Sequence, residues 1–173
     1  MTVIRTPVDD DVIRRLRVGD SIEIHGKIFT GRDAVLPVLQ RMIVEKNPNE
    51  LISRLKGAVI IHAGFSVAGF GPTTSNKEAI ENSIPALASV GVKIHIGKGS
   101  LSEKTMKALE RFNSIFAVTP PVTALLMEKV NSKRVVAFEN EGMEAMHELE
   151  VEGIPAIVAI AHGESIFGSR KVE

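Results

Sequence analysis

Three short stretches concentrate groups that can hold an anion: "FTGRD" (29–33), "GFGPTTSNK" (69–77) and "IGKGS" (96–100). In the second, two glycines and a proline turn the backbone, while Thr73, Thr74, Ser75 and Lys77 bring hydroxyls and an ammonium to one loop. A loop that opens a helix also offers unpaired N–H groups and the positive end of a dipole, which together favour an anion. A plain turn whose Thr73, Thr74 or Ser75 caps the next helix explains the same residues equally well. In "FTGRD", the Arg32 guanidinium can grip a carboxylate with two parallel hydrogen bonds. The plainer reading is a solvated arginine beside a capping Asp33. In "IGKGS", Lys98 stands between glycines that let a ligand approach the backbone, or on a simple strand-to-helix turn. Neither G-x-x-x-x-G-K-[ST] nor G-x-G-x-x-G occurs, which argues against a nucleotide-binding domain.

The remaining reactive residue types point elsewhere. His62 and His95 lie inside apolar strand runs and read as satisfied core histidines. His25, His147 and His162 show no pairwise ligand spacing, so no metal site is expected. Met106, Leu109 and Phe112 form a helical stripe that belongs to a core. The acid-rich "ENEGMEAMHELEVE" (139–152) reads as a solvated helix face.

The elements that must position the three turns alternate along the chain. "VGDSIEIHGKIFTG" has strand periodicity, with Gly26 marking a bulge or bend. "RDAVLPVLQRMIVEK" carries a helical apolar stripe, with Asp33 as N-cap and Pro37 in the first turn. "GAVIIHAG" is a short apolar run suited to a strand buried on both faces. A helical segment runs to about Val90, interrupted or restarted at Ser83 and Pro85. "VKIHIGKGS" is a strand and turn, and "SEKTMKALERF" a helix capped by Ser102. "SIFAVT", "KRVVAF" and "IPAIVAIA" are strands. "PVTALLMEKV" is a helix started by Pro121, and "GMEAMHELEVE" a short helix. Such alternation predicts an α/β fold with a largely parallel sheet and flanking helices. In sheets of that class, ligands gather where strands end and helices begin.

Bulk properties narrow the function. The 173 residues suit one domain, with residues 1–15 as an N-terminal arm and 168–173 as a frayed tail. Lys plus Arg equals Asp plus Glu, at 21 each, so the basic excess of a nucleic-acid or membrane-surface binder is missing. No stretch approaches the roughly 18 apolar residues of a membrane span, and "MTVIRTPVDDDVIRRL" lacks an apolar signal block. Cytoplasm is the expected location. Without cysteine, disulfides and thiolate-held clusters are excluded for this chain.

"GDSIEIHGKIFTGRD", "GFGPTTS" and "GVKIHIGKGSLSEKTMKAL", in this order, resemble the iron–sulfur hydro-lyases. The resemblance is to the beta subunit of class I fumarases and L-tartrate dehydratases, equivalent to the C-terminal domain of single-chain members. It extends through "EGMEAMHELEVEGIPAIVAI", and the pairing of "GPTTS" with "IGKG" is its most specific feature. It implies a swivelling β/β/α domain and reversible hydration of fumarate to L-malate, or dehydration of L-tartrate or another hydroxy-dicarboxylate. It further implies a [4Fe–4S] cluster held by an alpha subunit, with this chain as half of an αβ or α2β2 enzyme. An isolated chain then has an orphan surface through which it can self-associate, and Phe65, Val67 and Phe70 are candidates for the partner face. A non-catalytic anion-binding module of the same fold is the alternative from another class. Carried over residue by residue, Arg32 matches an arginine on a substrate carboxylate, Thr73 the catalytic base, and Lys98 a lysine at the substrate. Thr73 and Thr74 would also contact substrate. Two positions depart from the family pattern. Lys77 stands where an arginine is usual, which keeps the charge and loses the bidentate fork. Leu36 stands where a histidine is frequent.

Overall fold

A computed structural model describes residues 1–47, 49–66, 68–71, 76–120 and 123–168. The chain runs β1 (Thr2–Arg5), α1 (Asp10–Arg15), β2 (Ser21–Thr30), α2 (Leu36–Val44), α3 (Glu50–Ser53) and β3 (Val59–Ile61). It continues with the hairpin β4 (Gly64–Ser66) and β5 (Gly69–Gly71), then α4 (Lys77–Ser89), β6 (Ile94–Ile96), α5 (Glu103–Arg111) and β7 (Ile115–Val118). Last come α6 (Thr123–Met127), β8 (Val130–Ala137), a 3-10 segment (Glu139–Glu144), β9 (Met146–Ala161) and β10 (Glu164–Ser165).

The expected alternation of strand and helix is present, and the fold is mixed α/β. The sheet differs from a largely parallel one. Among the described residues, four strand pairings are parallel (β1–β2, β2–β3, β3–β6, β6–β7) and five antiparallel. Strand β9 makes the difference. It runs antiparallel to both β2 and β7, and Ile157 stands opposite Ser21 on one side and Val118 on the other. The sheet β2–β3–β6–β7 therefore closes on itself through β9, like a small barrel. Closure removes the edges that an open sheet would expose.

Period-two alternation sorts the side chains into layers. Val59, Ile61, Ile94, Ile96, Ile115 and Ala117 point into the barrel with Ile22, Ile24, Ile28, Leu149 and Val158. Ile60 and Phe29 point outward, against Leu36 and Leu39 of α2 and Leu87 of α4. Phe116 points outward against Ile84 of α4 and Leu109 of α5. Gly26 does mark an irregularity: the β2–β9 register shifts between Ile24 and His25, and Gly26 has φ +105°.

Several local expectations change. "GMEAMHELEVE" is no helix beyond the 3-10 segment, since Met146 onward is strand β9, continuous with "IPAIVAIA". Leu149 and Val151 alternate with Glu148, Glu150 and Glu152, which is a strand period. Glu148 is buried, accepting from Arg54 and from Arg134 Nε (3.1 Å), whereas Glu139, Glu141 and Glu152 are exposed, so the stretch is solvated in part but is no helix face. Helix α2 is preceded by Val35 rather than capped by Asp33, with Pro37 in its first turn as expected. Helix α4 is unbroken through Ser83 and Pro85, and its cap is Asn76, whose side chain accepts from Ala79 N (3.1 Å). Ser102 caps α5 as expected, accepting from Thr105 N (3.3 Å). Residues 1–15 carry β1 and α1, with Ile4 and Ile13 in the core.

Candidate active site

The neighbouring parallel strands β2, β3 and β6 end in register, with Thr30 opposite Ile61 and Ile61 opposite Ile96. Parallel neighbours lie about 4.8 Å apart. The residues that follow, Arg32, His62 and Lys98, therefore leave one rim of the barrel. The hairpin β4–β5 grows from the same rim, and α4 begins six residues beyond it.

Arg32 lies over the hairpin. Its Nε donates to the Glu144 carboxylate, and its side chain is only 15% exposed. Two glycines make that placement possible. Gly64 and Gly71 are paired across the hairpin, and a Cβ on Gly64 would stand 3.4 Å from Arg32 Cζ. A Cβ on Gly71 would stand 2.6 Å from Met143 Cε. Gly64 and Gly71 thus make way for Arg32 and Met143. Arg32 is accordingly held in place rather than simply solvated.

Lys77 and Lys98 share a cleft of about 80 Å³ with His62, Ile80, Glu81, Ile84, Leu101 and Phe116. Lys77 is the first residue of α4, and its Nζ donates to Ser100 O (2.9 Å), tying the helix start to the "GKG" turn. Each glycine of that turn has a specific neighbour. A Cβ on Gly97 would fall 2.8 Å from His62 Nδ1 and 3.0 Å from Phe116 Cε2; one on Gly99, where φ is +75°, would fall 2.5 Å from Lys77 Nζ. Glu81 is engaged by the start of α5, accepting from Ser102 N (2.6 Å) and Thr105 Oγ1 (3.1 Å). The cleft therefore presents two ammonium groups over an apolar floor, suited to the anionic end of a small acid. Arg32 is outside its lining. Thr73 and Thr74, the other expected site residues, lie outside the described residues, as does Val67.

Sequence reasoning passed over the histidines of this rim. His62 and His95 are both buried, with ring centroids 6.0 Å apart. They are not satisfied core histidines, because His62 Nε2 and both nitrogens of His95 are enclosed without a hydrogen-bond partner among the described residues. Burial pulls the His62 pKa down to about 4. It pulls His95 well below the ordinary value too, with the neighbouring His62 adding to the effect. Both rings are neutral at neutral pH. The signal was faint: two histidines in strands that turn out to be neighbours. Phe65 and Phe70, candidates for a partner face, are core residues packed edge to face at 5.1 Å.

The fumarase C-terminus family model matches residues 2–170. The chain belongs to the fumarase C-terminus family. A putative L(+)-tartrate dehydratase beta subunit of Methanocaldococcus jannaschii is 32% identical over 171 residues, covering 90% of this chain and 85% of that one. The L(+)-tartrate dehydratase beta subunit of Escherichia coli K12 is 29% identical, covering 98% of this chain and 88% of that protein. A putative class I fumarate hydratase of Geobacillus stearothermophilus is 28% identical over 94% of this chain, which spans 33% of that protein's length. The resemblance carried by "GPTTS" and "IGKG" thus extends along almost the whole chain. An iron–sulfur cluster does not fit this family member's own donor set. Its sequence has no cysteine, and among the described residues no three His, Asp or Glu side chains gather as metal ligands. Among the same residues, no helix is long and apolar enough to cross a membrane.

Proposed function

We propose that this chain is the beta subunit of a hydro-lyase that adds water reversibly across the double bond of a dicarboxylate. The observation that carries the reading is the Lys77–Lys98 cleft at the barrel rim, in a chain whose relatives are named as fumarate hydratase and tartrate dehydratase subunits. A dianionic substrate needs a cationic clamp at each end. Lys77 and Lys98 serve one carboxylate and Arg32, held by Glu144, serves the other. Thr73 and Thr74 follow the hairpin in sequence and contact the substrate. Thr73 exchanges the proton on the carbon next to a carboxylate, and its hydroxyl needs a neighbouring cation or a proton relay to do so. Positioning is the main service of these groups.

The [4Fe–4S] cluster belongs, in this reading, to a cysteine-bearing alpha subunit in an αβ or α2β2 assembly in the cytoplasm. The partner covers the rim. Met143, beside Arg32, and Leu125, on α6 against β5, are exposed apolar side chains on that side. A second reading, L-tartrate dehydratase, is favoured by the names of the relatives that match this chain over most of their own length. Pocket shape decides between the two. Co-expression with an alpha-type subunit and anaerobic reconstitution test both, with turnover of fumarate, L-malate and L-tartrate compared. Turnover of fumarate and L-malate supports the first reading and of L-tartrate the second. Stable assembly with no turnover of any dicarboxylate leaves an anion-binding module and sinks both.

A further inference from the structure

The two lysines do not set the charge of the cleft alone. Glu81 also lines it, four residues after Lys77 and so on the same face of α4. It is half-buried and held in place: its Oε1 accepts from Ser102 N (2.6 Å) and from Thr105 Oγ1 (3.1 Å). Those donors belong to the N-cap and first turn of α5, where the positive end of the helix dipole favours a carboxylate. Glu81 is therefore fixed at the wall of the cleft by α5 and not by the lysines. Among the described residues, no ion pair includes Lys77 or Lys98. Lys77 Nζ gives one hydrogen to Ser100 O and keeps two for a ligand. His62, also in the wall, is neutral at neutral pH. Two lysines against one glutamate leave the cleft with one net positive charge. Its free volume of about 80 Å³ admits a carboxylate or a slightly larger oxyanion, so charge has to separate them.

We propose that Glu81 is a specificity-determining residue, whose fixed negative charge suits the cleft to a singly charged carboxylate end and sets it against a doubly charged phosphoryl-type end. A fixed charge acts on a ligand in proportion to the ligand's own charge, so Glu81 repels a doubly charged end twice as strongly as a carboxylate. Stripping water from an ion also costs more as its charge rises, and one net positive charge offsets that cost for one ligand charge rather than two. An unfavourable contact with the wrong ligand is a general route to discrimination. The inference rests on the reading of the cleft as the seat of one carboxylate of a dicarboxylate.

The test titrates the full, isotope-labelled chain with acetate and with methylphosphonate, at a pH where the phosphonate is doubly charged. Both probes have a single anionic end, and the amide resonances of Gly97, Lys98 and Gly99 report on the cleft itself. The wild-type chain is expected to bind acetate about 3–10-fold more tightly. Glu81→Gln keeps an oxygen for Ser102 N and Thr105 Oγ1 and removes the charge. It should tighten acetate about 3-fold and methylphosphonate about 10-fold, the square of the smaller factor, because the gain in free energy doubles with the charge of the ligand. A merely structural role for Glu81 would instead weaken both probes alike. Equal binding of the two by the wild-type chain, a preference for methylphosphonate, binding of neither, or an equal change for both in Glu81→Gln overturns the inference. If Glu81→Gln does not fold, the wild-type ratio decides. The outcomes separate from those of the functional reading. A turning-over complex whose chain prefers methylphosphonate sinks only the role of Glu81. A carboxylate preference that Glu81→Gln removes, in a chain that supports no turnover, sinks only the hydro-lyase.

Discussion

At the scale of single residues, the barrel rim contains groups whose burial has measurable consequences. His62 titrates near pH 4 in the folded chain and near its ordinary 6.5 when unfolded. Between those values the unfolded chain binds more protons, so the stability present above pH 6.5 is lost as pH falls towards 4. The loss from His62 alone is on the order of 3 kcal/mol, and His95 adds to it in the same direction. Urea unfolding followed from pH 7 to pH 4 should show this decline, and His62→Phe should flatten it; an unchanged slope in the variant contradicts the assignment. Arg32 depends on Glu144 for its pose. Glu144→Ala should therefore raise KM by about 3–10-fold, roughly the worth of one charged contact near the surface. A change in kcat alone would contradict this positioning role.

At the scale of elements, the rim rests on short, fully buried strands. Leu149 of β9 is wholly buried in the barrel, and Leu149→Ala should cost about 2–5 kcal/mol in unfolding free energy. Asn76→Ala removes the cap of α4 and should cost about 1 kcal/mol, measured in the same way. The parallel strands and the helices around them were legible because their apolar periods are clean, as in "AVII" and "KIHI". The Lys77–Lys98 cleft was legible in part, since a lysine between glycines at the end of a strand announces itself. Strand β9 was not. Its glutamates imitate a solvated helix, and only the Arg54 and Arg134 partners of Glu148, distant in sequence, explain why one of them is buried. Closure of the sheet was equally hidden, because it depends on Ile157 facing both Ser21 and Val118. The isolation of His62 and His95 appears only once β3 and β6 are paired.

At the scale of the whole molecule, the chain looks like one part of a shared site. Arg32, Lys77 and Lys98 stand at one rim, its sequence has no thiolate for a cluster, and its relatives include subunits that are named as such. The aromatic pair Phe65 and Phe70, expected on the partner face, instead fills the core beneath the hairpin, where T-shaped packing and burial account for it. Met143 and Leu125, near the hairpin, are among the exposed apolar side chains.

The most direct test of the central claim, that this chain lends side chains to a site completed by another subunit, is Lys98→Ala in the assembled pair. Lys98 is exposed on a turn, away from the barrel interior, so the fold should persist, and assembly is verified by size exclusion before turnover is compared. In Lys98→Ala, kcat/KM for the dicarboxylate should fall about 10–100-fold, the worth of one charge-assisted contact. An assembled variant that turns over at the wild-type rate would contradict it.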